Sequence, residues 1–256
     1  MFRHAIVRTP GSNFDAGLTT ASLGKPVLEK VLEQHARYCA ALEECGLELT
    51  VLEADLHYPD STFVEDTAVI SPRGAILMRP GAESRTGEVE AIRPELERFF
   101  PVMPTIEAPG TVDGGDICEA SEHFFLGRSR RTNEEGTRQL VARLAELGYS
   151  SCTVDVRHMT SILHLKSGIG YIGENTLVVM EEMADNPVFA GFDLIRVSED
   201  ESYGANCVRV NWRVLVAEGF PRLTAALRDR GFEPLILDMS EFQKMDGGLS
   251  CLSLRF

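Results

Sequence analysis

Short polar turns, most of them carrying glycine, recur about every 40–50 residues along this chain, and the order of elements between them repeats. The turns occupy residues 60–66, 112–116, 164–168, 204–207 and 246–251. An amphipathic helix is predicted over residues 25–45, where Leu28, Val31, Leu32, His35, Cys39 and Leu42 recur at helical spacing. Pro26 suits its first turn and Gly46 its end. Further helices are predicted over 88–99, over 133–147 with Thr132 and Asn133 as caps and Gly148 closing it, and over 221–230, with a weaker one from Glu181. A short β-prone segment follows each, at 47–52, 102–106, 151–156, 194–197 and 234–237. The chain therefore reads as five units of strand, strand, helix and strand in one domain, residues 1–256. Units set around an axis bring the turns to one mouth. The alternative is an open α/β sheet with the turns along one edge. Either way, chemistry is expected on the turns.

A chain of 256 residues can bury a sizeable core. With 44% hydrophobic and 25% charged residues it has an ordinary globular composition. No apolar stretch approaches the roughly 20 residues of a membrane helix, and the first ten residues lack a signal-peptide apolar region. The expectation is a cytoplasmic protein. A net charge of −14 opposes binding to nucleic acid and anionic membranes. Solubility is its simplest reading, though it also suits a cationic substrate.

None of the six cysteines stands in Cys-x-x-Cys spacing, and free thiols are expected. Cys39 lies on a helix stripe, and Cys118 and Cys152 read as strand residues. Cys251 follows Gly247 and Gly248, which permit a tight turn or close backbone approach. A thiol presented there is a candidate nucleophile. Cys207 follows a similar polar turn and is its rival. The run Gly168-Ile169-Gly170-Tyr171-Ile172-Gly173 matches a dinucleotide fingerprint in letters, but a strand rather than a helix follows it, so a hairpin is expected.

Asp60, Glu65 and Asp66 make one acidic turn, and Asp113 and Asp116 another. Singly each reads as turn chemistry. Together they suit a clamp on a planar cation. His164 points away from its flanking leucines; a structural histidine is the plainer reading. No metal-ligand spacing appears. Arg85 and Arg131 lie in loops, where solvation is the default.

The ordered motifs Leu23-Gly24-Lys25-Pro26, Asp60-Ser61-Thr62-Phe63-Val64-Glu65-Asp66, Arg79 to Arg85, Glu107 to Asp113, Arg131-Thr132-Asn133, Leu163-His164-Leu165-Lys166, Ala205-Asn206-Cys207 and Ser250-Cys251 span nearly the whole chain. In them the chain resembles the dimethylarginine dimethylaminohydrolases, guanidino-group-modifying enzymes of the pentein fold. The resemblance implies an α/β propeller of five ββαβ units and hydrolysis of methylated arginine to citrulline and a methylamine. It implies Cys251 as nucleophile, His164 as general acid and base, and Asp113 as acidic partner. Asp60, Glu65 and Asp66, with Phe63 among them, match substrate contacts near the guanidinium. Arg85 and Arg131 match contacts to the α-carboxylate. Leu18 falls in a loop that closes over the site and offers a backbone carbonyl, and Met245 matches a backbone contact. No metal or organic cofactor is implied, and a homodimer is compatible with the family. Rival readings are an arginine deiminase, a hydrolase of another substituted guanidine, a non-catalytic pentein scaffold and a cysteine peptidase.

Overall fold

The computed structural model describes residues Met1–Phe256. Its elements run β1 (His4–Arg8), α1 (Leu28–Glu44), β2 (Glu48–Leu52), β3 (Ala68–Ser71), β4 (Gly74–Leu77), α2 (Glu88–Glu97), β5 (Ile117–Ala120), β6 (His123–Arg128), α3 (Glu134–Glu146), β7 (Ser150–Asp155), β8 (Ile169–Tyr171) and β9 (Thr176–Met180). They continue with β10 (Asp193–Val197), β11 (Val208–Val210), β12 (Arg213–Ala217), α4 (Pro221–Asp229), β13 (Glu233–Leu237), α5 (Ser240–Gln243) and β14 (Leu254–Arg255). They form five small sheets: β14-β1-β2, β3-β4, β5-β6-β7, β8-β9-β10 and β11-β12-β13. In each three-stranded sheet the first two strands pair antiparallel and the third returns parallel to the second. That is the expected ββαβ order. The first sheet borrows β14 from the C-terminus, where Ile6 pairs with Leu254.

Five separate apolar clusters explain why the units close on themselves. Ile6 and Leu254 pack with Val64 and Ile92 between the first and second units. Ile76 packs with Phe124 between the second and third, and Phe125 with Val179 between the third and fourth. Val178 packs with Val216 between the fourth and fifth, and Leu215 with Tyr38 between the fifth and first. Burying apolar surface at every junction stabilises a ring. An open sheet would leave one junction wet.

Two expected elements differ. Residues 102–106 form no strand; Leu77 makes a single parallel bridge to Thr105. Pro101 and Pro104 lack the N–H groups that a ladder needs. The expected helix from Glu181 is two 3₁₀ turns, Glu181–Met183 and Pro187–Phe189, because Pro187 cannot continue an α-helix and Asn186 instead caps the second turn. Helix α1 starts after Pro26, and Glu241 of α5 accepts the Val27 N–H (2.7 Å) at its entrance. The glycine run at 168–173 is a hairpin: β8 pairs antiparallel with β9.

A 3₁₀ turn precedes the first strand of every unit: Val64–Thr67, Gly114–Asp116, Leu165–Ser167, Glu199–Ala205 and Ser250–Leu252. Polar side chains stitch each turn to the next. Gly115 donates its N–H to Asp66 (2.7 Å), and Leu165 donates to Asp116 (3.0 Å). The Asn206 amide donates to the Lys166 carbonyl (2.7 Å) and its oxygen accepts the Ser250 N–H (3.0 Å). The Ser250 hydroxyl donates to Glu65 (2.8 Å), which closes the circle. This waist has a cleft on one side and a wider chamber on the other.

Candidate active site

The cleft is lined by Leu18, Asp60, Phe63, Asp66, Arg85, Arg131, Leu163, His164, Met245, Asp246, Gly247 and Cys251. Most of the expected site residues are thus brought together from four of the five units and the loop after β1. Leu163, Asp246 and Gly247 are additions that no single-residue signal marked.

Cys251 enters the cleft because the chain before it presses against its neighbours. A Cβ at Gly248 would sit 2.5 Å from the Asn206 Oδ1. Burial pushes the Cys251 thiol up to about 12, and Glu65 and Asp66 push it the same way. Cys207, the rival, is buried on the chamber side, and desolvation raises it likewise.

The His164 Nε2 meets the Asp113 Oδ2 at 2.9 Å. The ring lies close over the turn before β5: a Cβ at Gly115 would fall 2.8 Å from the His164 Nδ1. Burial by itself lowers the imidazole, but Asp116, the bond to Asp113 and the charge of Asp66 outweigh it and raise it to about 9. His164 therefore rests as an imidazolium at neutral pH. Asp113 is fully buried behind the ring and does not line the cleft; its other oxygen accepts the Gly81 N–H (2.7 Å).

Asp66 accepts from Gly115 and from the Arg85 guanidinium (2.5 Å). Burial opposes its ionisation, yet Arg85 and His164 hold it near 2. Arg85 is held from every side: Glu88 takes Nε and Nη2, and the Phe63 and Asp60 carbonyls take Nη2. Of its five N–H groups, one on Nη1 remains free. Arg131 also lines the cleft, and its guanidinium makes no ion pair or hydrogen bond within the protein. Glu65 stands apart from the other acidic residues. It faces the chamber, paired with Lys166 and 3.8 Å from Arg255.

The loop at Leu18 closes one wall. Asp60 accepts the Leu18 N–H (3.0 Å), and burial raises its carboxyl. Thr19 donates to the Lys244 carbonyl (2.9 Å), and Thr20 donates its N–H and hydroxyl to Asp246 (2.5 and 3.0 Å). Phe63 packs on Phe14 and Phe242 beneath the cleft, with Met245 buried beside them.

Asp66, Asp113 and His164 place one donor atom each within 4.8 Å of one another. Those atoms are already engaged with Arg85, Gly81, Gly115 and each other, an arrangement built on hydrogen bonds and ion pairs.

Comparisons with known proteins identify the family of the chain. A family model described as N,N dimethylarginine dimethylhydrolase, eukaryotic, matches residues 19–210. The chain is 46% identical over 257 residues to the N(G),N(G)-dimethylarginine dimethylaminohydrolase of Pseudomonas aeruginosa, covering 100% of both. It is 34% identical to that of Streptomyces coelicolor, covering 99% of this chain and 96% of the other. A solved structure of the Pseudomonas aeruginosa enzyme, a cysteine-to-serine variant complexed with citrulline, superposes with a TM-score of 0.97 at 45% identity and full coverage of both chains. No helix here is long and apolar enough to cross a membrane. In sequence and fold, the chain belongs to the dimethylarginine dimethylaminohydrolase family.

Proposed function

We propose that this protein hydrolyses Nω-methylated L-arginine to L-citrulline and a methylamine, with Cys251 as nucleophile, and that residues 1–256 act as one catalytic unit. The observation that carries the reading is the convergence of a thiol, an imidazole and a carboxylate in one cleft of a member of this family. The guanidinium lies against Asp66 with its carbon facing sulfur. The bound cation offsets the burial and the carboxylates that keep the thiol protonated, so substrate itself favours the thiolate, whose proton passes to solvent. Sulfur attacks the guanidinium carbon. The C–N bond to the methylated nitrogen breaks as His164 gives that nitrogen its proton, and the amine leaves an S-alkylthiouronium on Cys251. The neutral imidazole then takes a proton from water, whose oxygen attacks the same carbon. Expulsion of the thiolate yields the ureido group of citrulline.

Asp113 orients His164 and favours its charged form. Arg131, the cleft cation without an internal partner, is the main contact for the α-carboxylate. Arg85 chiefly aligns Asp66 and has one proton left to share. The Leu18 loop, tied by Asp60 and Asp246, excludes water around the amino-acid end. Glu65 shapes the site from behind through Ser250. A cytoplasmic location and a homodimer are part of the same reading, with a small cationic amino acid as partner and no organic cofactor.

The decisive experiment is a citrulline assay across arginine, both dimethylarginines, monomethylarginine and agmatine, with the released amine identified. Citrulline with a methylamine from the methylated substrates is expected. Ammonia from unmethylated arginine as the main product would replace this reading with a deiminase. Cys251→Ser should abolish turnover, a loss on the order of a thousandfold or more, while Cys207→Ser retains it. The reverse pattern would move the nucleophile.

A further inference from the structure

Asp116 is fully buried and touches neither the cleft nor solvent. Its Oδ1 accepts the Leu165 N–H at 3.0 Å. Its Oδ2 accepts two hydroxyls, Ser129 and Thr132, each at 2.6 Å. Because the Thr132 proton points to Asp116, the same hydroxyl oxygen is free to accept the Asp113 N–H at 3.1 Å. Leu165 follows His164, so the two arms of one carboxylate end on the two members of the acid–base pair. Space is kept for it: a Cβ at Gly127 would lie 2.7 Å from the Asp116 Oδ1.

The titratable and charged groups around His164 are Asp113 and Asp116 from the turn before β5, Asp66 from the turn before β3 with Arg85 behind it, and Cys251 and Arg131 across the cleft. Lys166, on the turn of His164 itself, points into the chamber toward Glu65. Burial raises the carboxyl of Asp116 itself, while His164, the two hydroxyls and the Leu165 N–H favour its ionised form; in that form it is the largest of the influences that keep the imidazole charged. No hydrogen bond joins the two, so it acts through space and through the neighbouring backbone.

We propose that Asp116 is a positioning residue for the reaction, holding the backbone at His164 through the Leu165 amide and Asp113 through the Thr132 hydroxyl. Its negative charge beside the ring also favours the imidazolium. The proposal rests on His164 acting as the general acid and base. An asparagine at 116 cannot replace the carboxylate. It has one acceptor oxygen for three donors, and its NH₂ must face either the Leu165 N–H or the two hydroxyls.

The test compares Asp116→Asn, Thr132→Val and Thr132→Ser in the full chain. kcat and KM are measured against methylarginine, and the His164 imidazole is titrated by NMR without substrate, its signal assigned with His164→Gln. Asp116→Asn should lower kcat on the order of tenfold or more, change KM by less than about threefold, and move the His164 titration to lower pH. Thr132→Val removes the arm to Asp113 but leaves the charge: kcat should fall with the titration close to wild type, and Thr132→Ser should restore it. Wild-type kcat in Asp116→Asn, or a lowered kcat with an unmoved His164 titration, would overturn the proposal. Should Asp116→Asn fail to fold, the Thr132 pair decides: full activity in Thr132→Val sinks it, and loss rescued by serine supports it. A wild-type protein that turns over no guanidine would defeat the assigned reaction instead, and the substrate-free titration keeps the two failures apart.

Discussion

Cys251 and His164 rest in the wrong protonation states for immediate attack, one neutral and one charged, and their environments explain both. Burial and two carboxylates keep the sulfur protonated, while Asp116, Asp113 and Asp66 keep the ring protonated against the same burial. A cation entering the cleft corrects the first and leaves the second ready as an acid. The charge on His164 also affects stability. Its folded value, about 9, lies above the ordinary 6.5. The stabilisation is therefore complete below about pH 6.5 and is lost as pH rises through about 9. Relative to His164→Gln, the wild type should lose up to about 3 kcal/mol across that window in urea unfolding; parallel pH profiles for the two would contradict it. The candidate thiol was legible from its glycine turn, and the acidic turns from their composition. That Cys207 faces the chamber and Glu65 turns from the cleft was not legible, because adjacent residues of one turn serve opposite sides of the waist.

Elements form here where side chains answer backbone groups, and fail where proline removes a donor. The start of α3 is the plainest case. Asn133 accepts the Gly136 N–H (2.8 Å) and the Thr111 N–H (3.1 Å), and donates to the Pro109 carbonyl (2.9 Å). Asn133→Ala should cost about 1–2 kcal/mol in chemical unfolding; a change below about 0.3 kcal/mol would show that the cap is redundant. This helix was readable from its caps and period, as were α1, α2 and α4. The segment at 102–106 was misread because β-prone apolar residues outweighed Pro101 before it and Pro104 within it. The stretch after Glu181 was misread because its apolar residues fit a helix until Pro187. Nothing local distinguishes a 3₁₀ turn before a strand from a hairpin turn, so the structural role of Asp116 stayed hidden among Asp-Gly letters.

The whole molecule is held by junctions, and the weakest covalently is the one that joins the two ends of the chain. Leu254, buried at 4% exposure, pairs with Ile6 and packs with Val64 and Ile92. Leu254→Ala should cost about 2–5 kcal/mol, whereas Val102→Ala, at a residue 84% exposed, should stay within about 0.5 kcal/mol. Equal effects would mean that the last strand does not help close the ring. Because the five waist turns are linked by hydrogen bonds from one to the next, slackening at this junction should reach Cys251, which lies between the fifth and first units. The sequence by itself determined the number of units, most helices and strands, the thiol and its family, since period, caps and motifs are local or nearly local properties. Only the tertiary structure decided which side of the waist each turn residue faces, which arginine stays without an internal partner, and that a buried carboxylate links the amide after His164 to Asp113 through Thr132. Those depend on distances between residues about 50 positions apart, set by five packed interfaces at once.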